Sequence, residues 1–181
     1  EVPCFAGRTV CMIRRNVRGM DVSGYNHSDS ININTPPDDV YAIVSDVSRV
    51  GELSPVCQSA AWDDPGQVGK EGAWFTGHNA IGEFTWDTHC KVVAAEPGRE
   101  FRFVNHGPNG DVELVQWGYT LEPEGDGTKV TESWQVLPAY PDMVRSGDPN
   151  VDVTARIDGM AQLARDGIKE TLTNLKRVTE H

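Results

Sequence analysis

The sequence predicts an α+β fold in which a curved antiparallel sheet of seven strands wraps around one long C-terminal helix. Two observations carry this. Over residues 151–179 the apolar side chains Ile157, Ala161, Ala164, Ile168, Leu172 and Leu175 recur at three- and four-residue steps. Arg156, Asp158, Arg165, Asp166, Lys169, Glu170 and Lys176 occupy the rest of the circumference, so this is one amphipathic helix. Residues 56–137 instead alternate apolar and polar at every second position between turn signals, the pattern of antiparallel strands. A helix that arrives after all the strands must bury its stripe on one sheet face. A sheet bent around it encloses space for a ligand.

The elements follow in order. Residues 29–35 read as a short strand with Ile31 and Ile33 on one face. Thr35-Pro36-Pro37-Asp38-Asp39 is helix-start chemistry, with a hydroxyl to cap, early proline and first-turn carboxylates. Val40, Ile43, Val44 and Val47 supply that helix's stripe, and a second short helix over 48–53 closes at Ser54-Pro55. Strand 56–62 ends at the turn Asp63-Asp64-Pro65-Gly66. Strands 72–80 and 84–94 form a hairpin through Ile81-Gly82, and Glu96-Pro97-Gly98 turns into strand 100–105. Strands 112–121 and 128–137 are joined as a hairpin by Glu124-Gly125-Asp126-Gly127. Residues 138–149, with three prolines, read as a loop leading to the final helix.

At 181 residues the chain is long enough for one domain with a real core, expected over 20–181. Residues 1–19 show no periodicity and carry Arg8, Arg14, Arg15 and Arg18 against Glu1; they are expected to be a disordered extension. A net charge of −11 argues against nucleic acid and anionic membrane as partners. No stretch approaches the about 20 apolar residues of a membrane span. The four cysteines form no C-x-x-C pair, so buried thiols in a reducing, cytoplasmic setting are expected, with a Cys4–Cys11 link the alternative. None of the five histidines has metal-ligand spacing, and no phosphate, dinucleotide or nucleophile-elbow motif is present, so no metal and no cofactor is expected.

The order of elements resembles the SRPBCC superfamily, the START-like and Bet v 1-like helix-grip proteins, and within it the polyketide cyclase/dehydrase-like group. The residues carrying the resemblance are Leu53-Ser54-Pro55, Gly69, and Gly72-Ala73-Trp74-Phe75-Thr76-Gly77-His78-Asn79. Phe84-Thr85-Trp86, Cys90-Lys91-Val92, Glu96-Pro97-Gly98 and Phe101-Arg102-Phe103 continue it. Trp117-Gly118-Tyr119-Thr120-Leu121-Glu122-Pro123 and Gly127-Thr128-Lys129-Val130-Thr131-Glu132-Ser133-Trp134 close it. The resemblance implies a helix-grip fold and a hydrophobic cavity. Because that fold hosts binders, carriers, cyclases and regulators, it leaves the activity open.

Alternation assigns faces. Phe84, Trp86, Thr88 and Cys90 point toward the helix, as do Phe101, Phe103 and Asn105. Trp117, Tyr119 and Leu121 join them, with Val130, Glu132, Trp134 and Val136. In the ambiguous strand 72–80 the resemblance favours Phe75, Gly77 and Asn79 inward, with Trp74 and His78 outward. The candidate cavity wall is therefore Phe75, Asn79, Trp86, Thr88, Phe103, Asn105, Trp117, Tyr119, Glu132 and Trp134, completed by Ile157, Ala161, Ala164 and Ile168 of the helix. The indoles serve equally as plain core or as cavity lining, and Gly77 as bulge or as room for a ligand. The histidines read as solvated.

Glu132 stands apart, since an unpaired carboxylate on an apolar face is costly. It lies at a wet strand end, or meets Asn79, Asn105 or Tyr119, or has a raised pKa that suits it to acid–base work. Three functions fit: binding of a hydrophobic lipid, acyl or aromatic molecule; an aromatic polyketide cyclase or dehydratase, with Glu132 and Tyr119 as candidate catalytic residues; or regulation through protein contact. The inward sets contain no arginine, and Arg102 points away, which departs from what the cyclase resemblance implies. The chain is expected to be a monomer or homodimer.

Overall fold

The computed structural model describes residues 19–180. The expected extension over 1–19, apart from Gly19, and the Cys4–Cys11 link lie outside the described residues. The seven strands are β1 (Asn26–Ile33), β2 (Cys57–Trp62), β3 (Trp74–Ile81), β4 (Phe84–Glu96), β5 (Glu100–His106), β6 (Glu113–Glu124) and β7 (Gly127–Val136). All pairings are antiparallel and the sheet order is β1-β7-β6-β5-β4-β3-β2. Strands β2 to β7 thus form a meander, and β1 closes on the edge farthest from its own successor. The chain crosses between those edges through α1 (Pro37–Val44), a 3-10 turn (Val47–Arg49) and α2 (Val50–Leu53).

Hairpin chemistry fixes the register. Gly82 and Gly125 open the two-residue loops β3–β4 and β6–β7 with φ of 59° and 60°, the positive first position that a type II′ turn uses. Irregularities at Cys57/Ser59, Val92/Ala94 and Asn105/His106 put extra residues into single strands, and such bulges bend a sheet. The bend lets the sheet curve around α4 (Val153–Thr179), whose N-cap Asp152 accepts from Ala155 N at 3.0 Å.

Helix α4 buries the predicted stripe, Ile157, Ala161, Ala164, Ile168, Leu172 and Leu175, and with it Val153 and Thr171. It is tied down along its length. Tyr25 Oη donates to Asp158, Asn174 Nδ2 to the Leu53 carbonyl, and Lys176 Nζ to the Asn32 carbonyl. Near its end the Asn34 amide donates to Glu180.

Three local expectations change. Residues 138–149 contain a helix, α3 (Tyr140–Gly147), because Pro141 sits in the first turn, where its missing N–H costs nothing, and Tyr140 and Val144 are buried. Strand β1 starts at Asn26, three residues earlier than expected, since its polar start pairs with Gln135 to Thr131 of β7. Thr35 does not cap α1: its hydroxyl donates to the Thr179 carbonyl, and Pro36 is the N-cap.

Candidate functional site: a cavity between sheet and helix

A cavity of ≈ 230 Å³ lies between the sheet, α4 and the α1–α2 crossover. The sheet presents Phe75, Asn79, Trp86, Thr88, Phe103, Asn105, Trp117, Tyr119, Glu132 and Trp134 to it, all placed there by alternation or resemblance. Cys90, Phe101 and Gly77, also read as inward, line it too. Gly77 keeps the wall thin, since a Cβ there would stand 3.0 Å from Thr88 Oγ1 and 3.2 Å from Cys57 Sγ.

On α4 the structure corrects the reading. Only Ala164 of the four helix candidates lines the cavity; Ile157, Ala161 and Ile168 belong to the packed core instead. Met160, Leu163, Gly167 and Thr171 take their place. The centre of the stripe faces β1 and β7, leaving a flank of the helix turned to the cavity. Phe84 is a second correction. It shares the two-residue phase of Trp86, yet is 67% exposed at the tip of the β3–β4 hairpin, where it stacks on Trp86 at 5.3 Å.

The crossover supplies the wall that sequence reasoning missed: Ile43, Val44, Val47, Val50 and Leu53, with Pro55 and Val56 after them. Their apolar spacing was visible, but not what lay across from them. Pro55, Val56, Ile81, Leu163 and Gly167 are shared with an adjoining surface depression, so the cavity opens between the start of β2, the β3–β4 hairpin and α4. Ile81 and Leu163 are exposed at this mouth.

Most of the polar groups sit on the sheet, with Asp46 and Ser54 on the crossover and Thr171 on α4. Asn79 Nδ2 lies 3.3 Å from the carbonyls of Gly77 and Trp86 and 3.2 Å from Thr88 Oγ1. Cys90 Sγ donates to Asn105 Oδ1 at 3.2 Å. Glu132 is only 4% exposed, so it is not at a wet end; its Oε1 accepts from Tyr119 Oη at 3.2 Å. Burial pushes its carboxyl up to about 8, the Tyr119 bond pulling the other way. Burial, reinforced by Glu132, raises the Tyr119 phenol well above its ordinary value. Burial likewise pushes Cys57 up to about 11 and Cys90 up to about 12, and neither thiol is in a disulfide. Glu132 Oε2 and Trp134 Nε1 are buried without a partner.

The outer face is different in kind. Arg102 is there, paired with Glu100. His78 and His89 pair with Asp87 and Asp63, and Trp74 stacks on His89 at 4.4 Å. Two histidines are less solvated than expected: on this face His106 is half-buried against Trp74 with neither ring nitrogen bonded, and on the inner face, opposite Trp134 in register, Nε2 of half-buried His27 has no partner. Among the described residues no cluster of three or more His, Cys, Asp or Glu is placed to hold a metal. Among them, too, no helix is long and apolar enough to cross a membrane, which says nothing of strand-built barrels.

Residues 26–180 match the family described as polyketide cyclase/dehydrase and lipid transport. The chain is similar to the polyketide-cyclase-like protein Cgl2372 of Corynebacterium glutamicum, with 38% identity, a TM-score of 0.61, and 86% of this chain and 91% of that one covered. It is similar in fold to the di-domain ARO/CYC BexL, at 16% identity and a TM-score of 0.65, covering 86% of this chain and 50% of that protein. The Chromobacterium violaceum protein CV1439 gives 13% identity and a TM-score of 0.61 over 86% of this chain and 98% of its own. No curated protein matches the chain at the level required of a relative.

Proposed function

Because the chain belongs to the polyketide cyclase/dehydrase and lipid transport family, we propose that it binds a hydrophobic small molecule, a lipid, an acyl chain or an aromatic polyketide-like compound, in the cavity between sheet and α4. The observation that carries this is the cavity itself. Its walls are aromatic and aliphatic, with a few polar groups among them, the general make-up of a small-molecule site. The indoles of Trp86, Trp117 and Trp134 border the space and do not fill it. A filled interior would have favoured the protein-contact role.

Size narrows the ligand. An apolar cavity of about 150 Å³ accepts benzene, so ≈ 230 Å³ suits a bicyclic aromatic or a short acyl chain. A longer ligand would project through the mouth at Ile81 and Leu163. Native mass spectrometry of freshly purified protein tests the reading, with a co-purifying apolar molecule expected. The variant Ala164→Met, which lengthens a side chain on the cavity wall, should abolish that adduct and leave the melting temperature within a few degrees. Unchanged adduct in a folded variant refutes the site.

One observation favours a catalytic reading as the alternative. Tyr119 and Glu132 form a buried hydrogen-bonded pair, and a carboxyl titrating near 8 holds its proton at neutral pH. An aromatic cyclase or dehydratase needs such an acid beside its substrate. Turnover of a poly-β-ketone by the protein, lost in Glu132→Gln, would support it.

A further inference from the structure

The cavity's polar groups are one-sided in charge. Its lining contains no lysine, arginine or histidine. Its carboxylates are Asp46, which is engaged by Ser48, and the buried Glu132. Tyr119 occupies Oε1 of Glu132, leaving Oε2 unpartnered, and two residues along the same face the Nε1 of Trp134 is unpartnered as well. A protonated Glu132 therefore carries its proton on Oε2, and the two orphan atoms are both donors, an O–H and an N–H. Buried donors without acceptors are costly, and a ligand acceptor that meets them removes that cost. A carboxylate or phosphate would instead bury a negative charge in a lining that holds no cation to offset it and already contains the Asp46 carboxylate.

We infer that the cavity selects its ligand by charge: Glu132, with Trp134 beside it, receives the carbonyl end of a neutral apolar molecule and rejects carboxylates and phosphates. Free fatty acids and anionic headgroups are then not its cargo. The inference rests on the cavity-binding reading and sharpens it.

Several groups surround Glu132. Tyr119 faces it from β6, and Cys57 and Cys90 lie on the cavity wall formed by β2 and β4. Asp29 and His27 of β1 stand opposite Glu132 and Trp134 in strand register. The side chains that α4 turns to the cavity, Met160, Leu163, Ala164 and Thr171, carry no charge. With Glu132 at about 8, its donor form prevails at neutral pH.

The test uses four probes that share a naphthalene body: methylnaphthalene, acetylnaphthalene, naphthoate and naphthylmethylammonium, each titrated calorimetrically into the full chain. At about pH 6.5 acetylnaphthalene should bind at least about tenfold more tightly than either charged probe, and its affinity should fall about tenfold per pH unit above about pH 8. In Glu132→Gln, where the amide still donates and His27 and Asp29 are untouched, that pH step should vanish. Naphthoate binding as tightly as the ketone, while methylnaphthalene also binds, overturns the inference and leaves the cavity reading standing. So does tightest binding by the ammonium with affinity rising through pH 8, which would make Glu132 a counter-ion. A pH step that survives in Glu132→Gln removes Glu132 from the selection. No binding by any probe, methylnaphthalene included, overturns the cavity reading and this inference together.

Discussion

Glu132 should make the folded chain less stable as the pH rises, and Glu132→Gln should cancel the effect. Its carboxyl moves from an ordinary 4.5 to about 8 on folding, chiefly through burial. At about 1.4 kcal/mol per pH unit, this makes the charged form on the order of 5 kcal/mol costlier in the folded chain, before any relief from relaxation or water. A carboxyl whose folded pKa is raised holds its proton in the native state after the unfolded chain has lost it. Its contribution is fully present below 4.5, declines through the interval to about 8, and is flat above that. Glutamine preserves the shape and an acceptor for Tyr119 Oη but cannot ionise. Urea denaturation at a series of pH values from about 5 to 9, followed by tryptophan fluorescence, should show the variant gaining on the parent by several kcal/mol. Glu132→Leu separates charge from hydrogen bonding: it strands the Tyr119 hydroxyl at a pH-independent cost of about 1–3 kcal/mol. Parallel parent and Glu132→Gln curves across the range would refute the reasoning, for the carboxylate would then be solvated or paired in the native state.

Three further outcomes follow from packing and chemistry. Ile168 is fully buried in the core, so Ile168→Ala should lower stability by about 2–5 kcal/mol, read as a lower urea midpoint at unchanged slope. A Cβ at Gly51 would run into the Gln58 carbonyl, so Gly51→Ala should destabilise the junction of α2 with β2 although alanine favours helix by about 1 kcal/mol; a rise in melting temperature would contradict this. Cys57 and Cys90, pushed up to about 11 and 12, should resist iodoacetamide at about pH 8 in the native chain and react once unfolded, as peptide mapping would reveal; equal native and unfolded rates at Cys90 would overturn it.

The sheet was readable from sequence because its two faces differ. One face is buried by α4, so a one-residue slip would turn Trp117, Tyr119, Glu132 and Trp134 outward, and that penalty keeps the two-residue phase visible. The helix was readable for the same reason, but only as a stripe. Periodicity says that Ile157, Ala161, Ala164 and Ile168 are buried and not which neighbour buries them. The helix's rotation about its axis is set by its seat on β1 and β7 and by ties such as Lys176 to Asn32, none of which is local in sequence. Prolines misled at α3, where Pro141 starts a helix. The crossover wall was missed because the apposition of Val47 or Leu53 with the β-sheet arises only when the chain spans from one sheet edge to the other. For Glu132, sequence supplied three alternatives, and only the depth of the fold could choose: the carboxyl is buried, bonded to Tyr119 and raised together.

The hollow follows from where α4 places long and short side chains. Ile157, Ile168, Leu172 and Leu175 pack in the core and hold the helix at its distance from the sheet, whereas Ala164, Gly167 and Thr171 reach the cavity with little volume. Each unfilled Å³ of an apolar interior is worth about 24 cal/mol in lost packing, so ≈ 230 Å³ left to side chains alone would forgo on the order of 5 kcal/mol. That is a large share of the about 5–15 kcal/mol that holds a domain together. Met160 and Leu163 are the long residues on the cavity flank. Longer side chains at Ala164, Gly167 and Thr171 would be the simple packing solution, yet short ones stand there, in the same cavity as a carboxyl whose ionisation the site disfavours. Two features that each oppose stability thus meet at one place, as binding sites require. Stability alone would favour neither the space nor the acid.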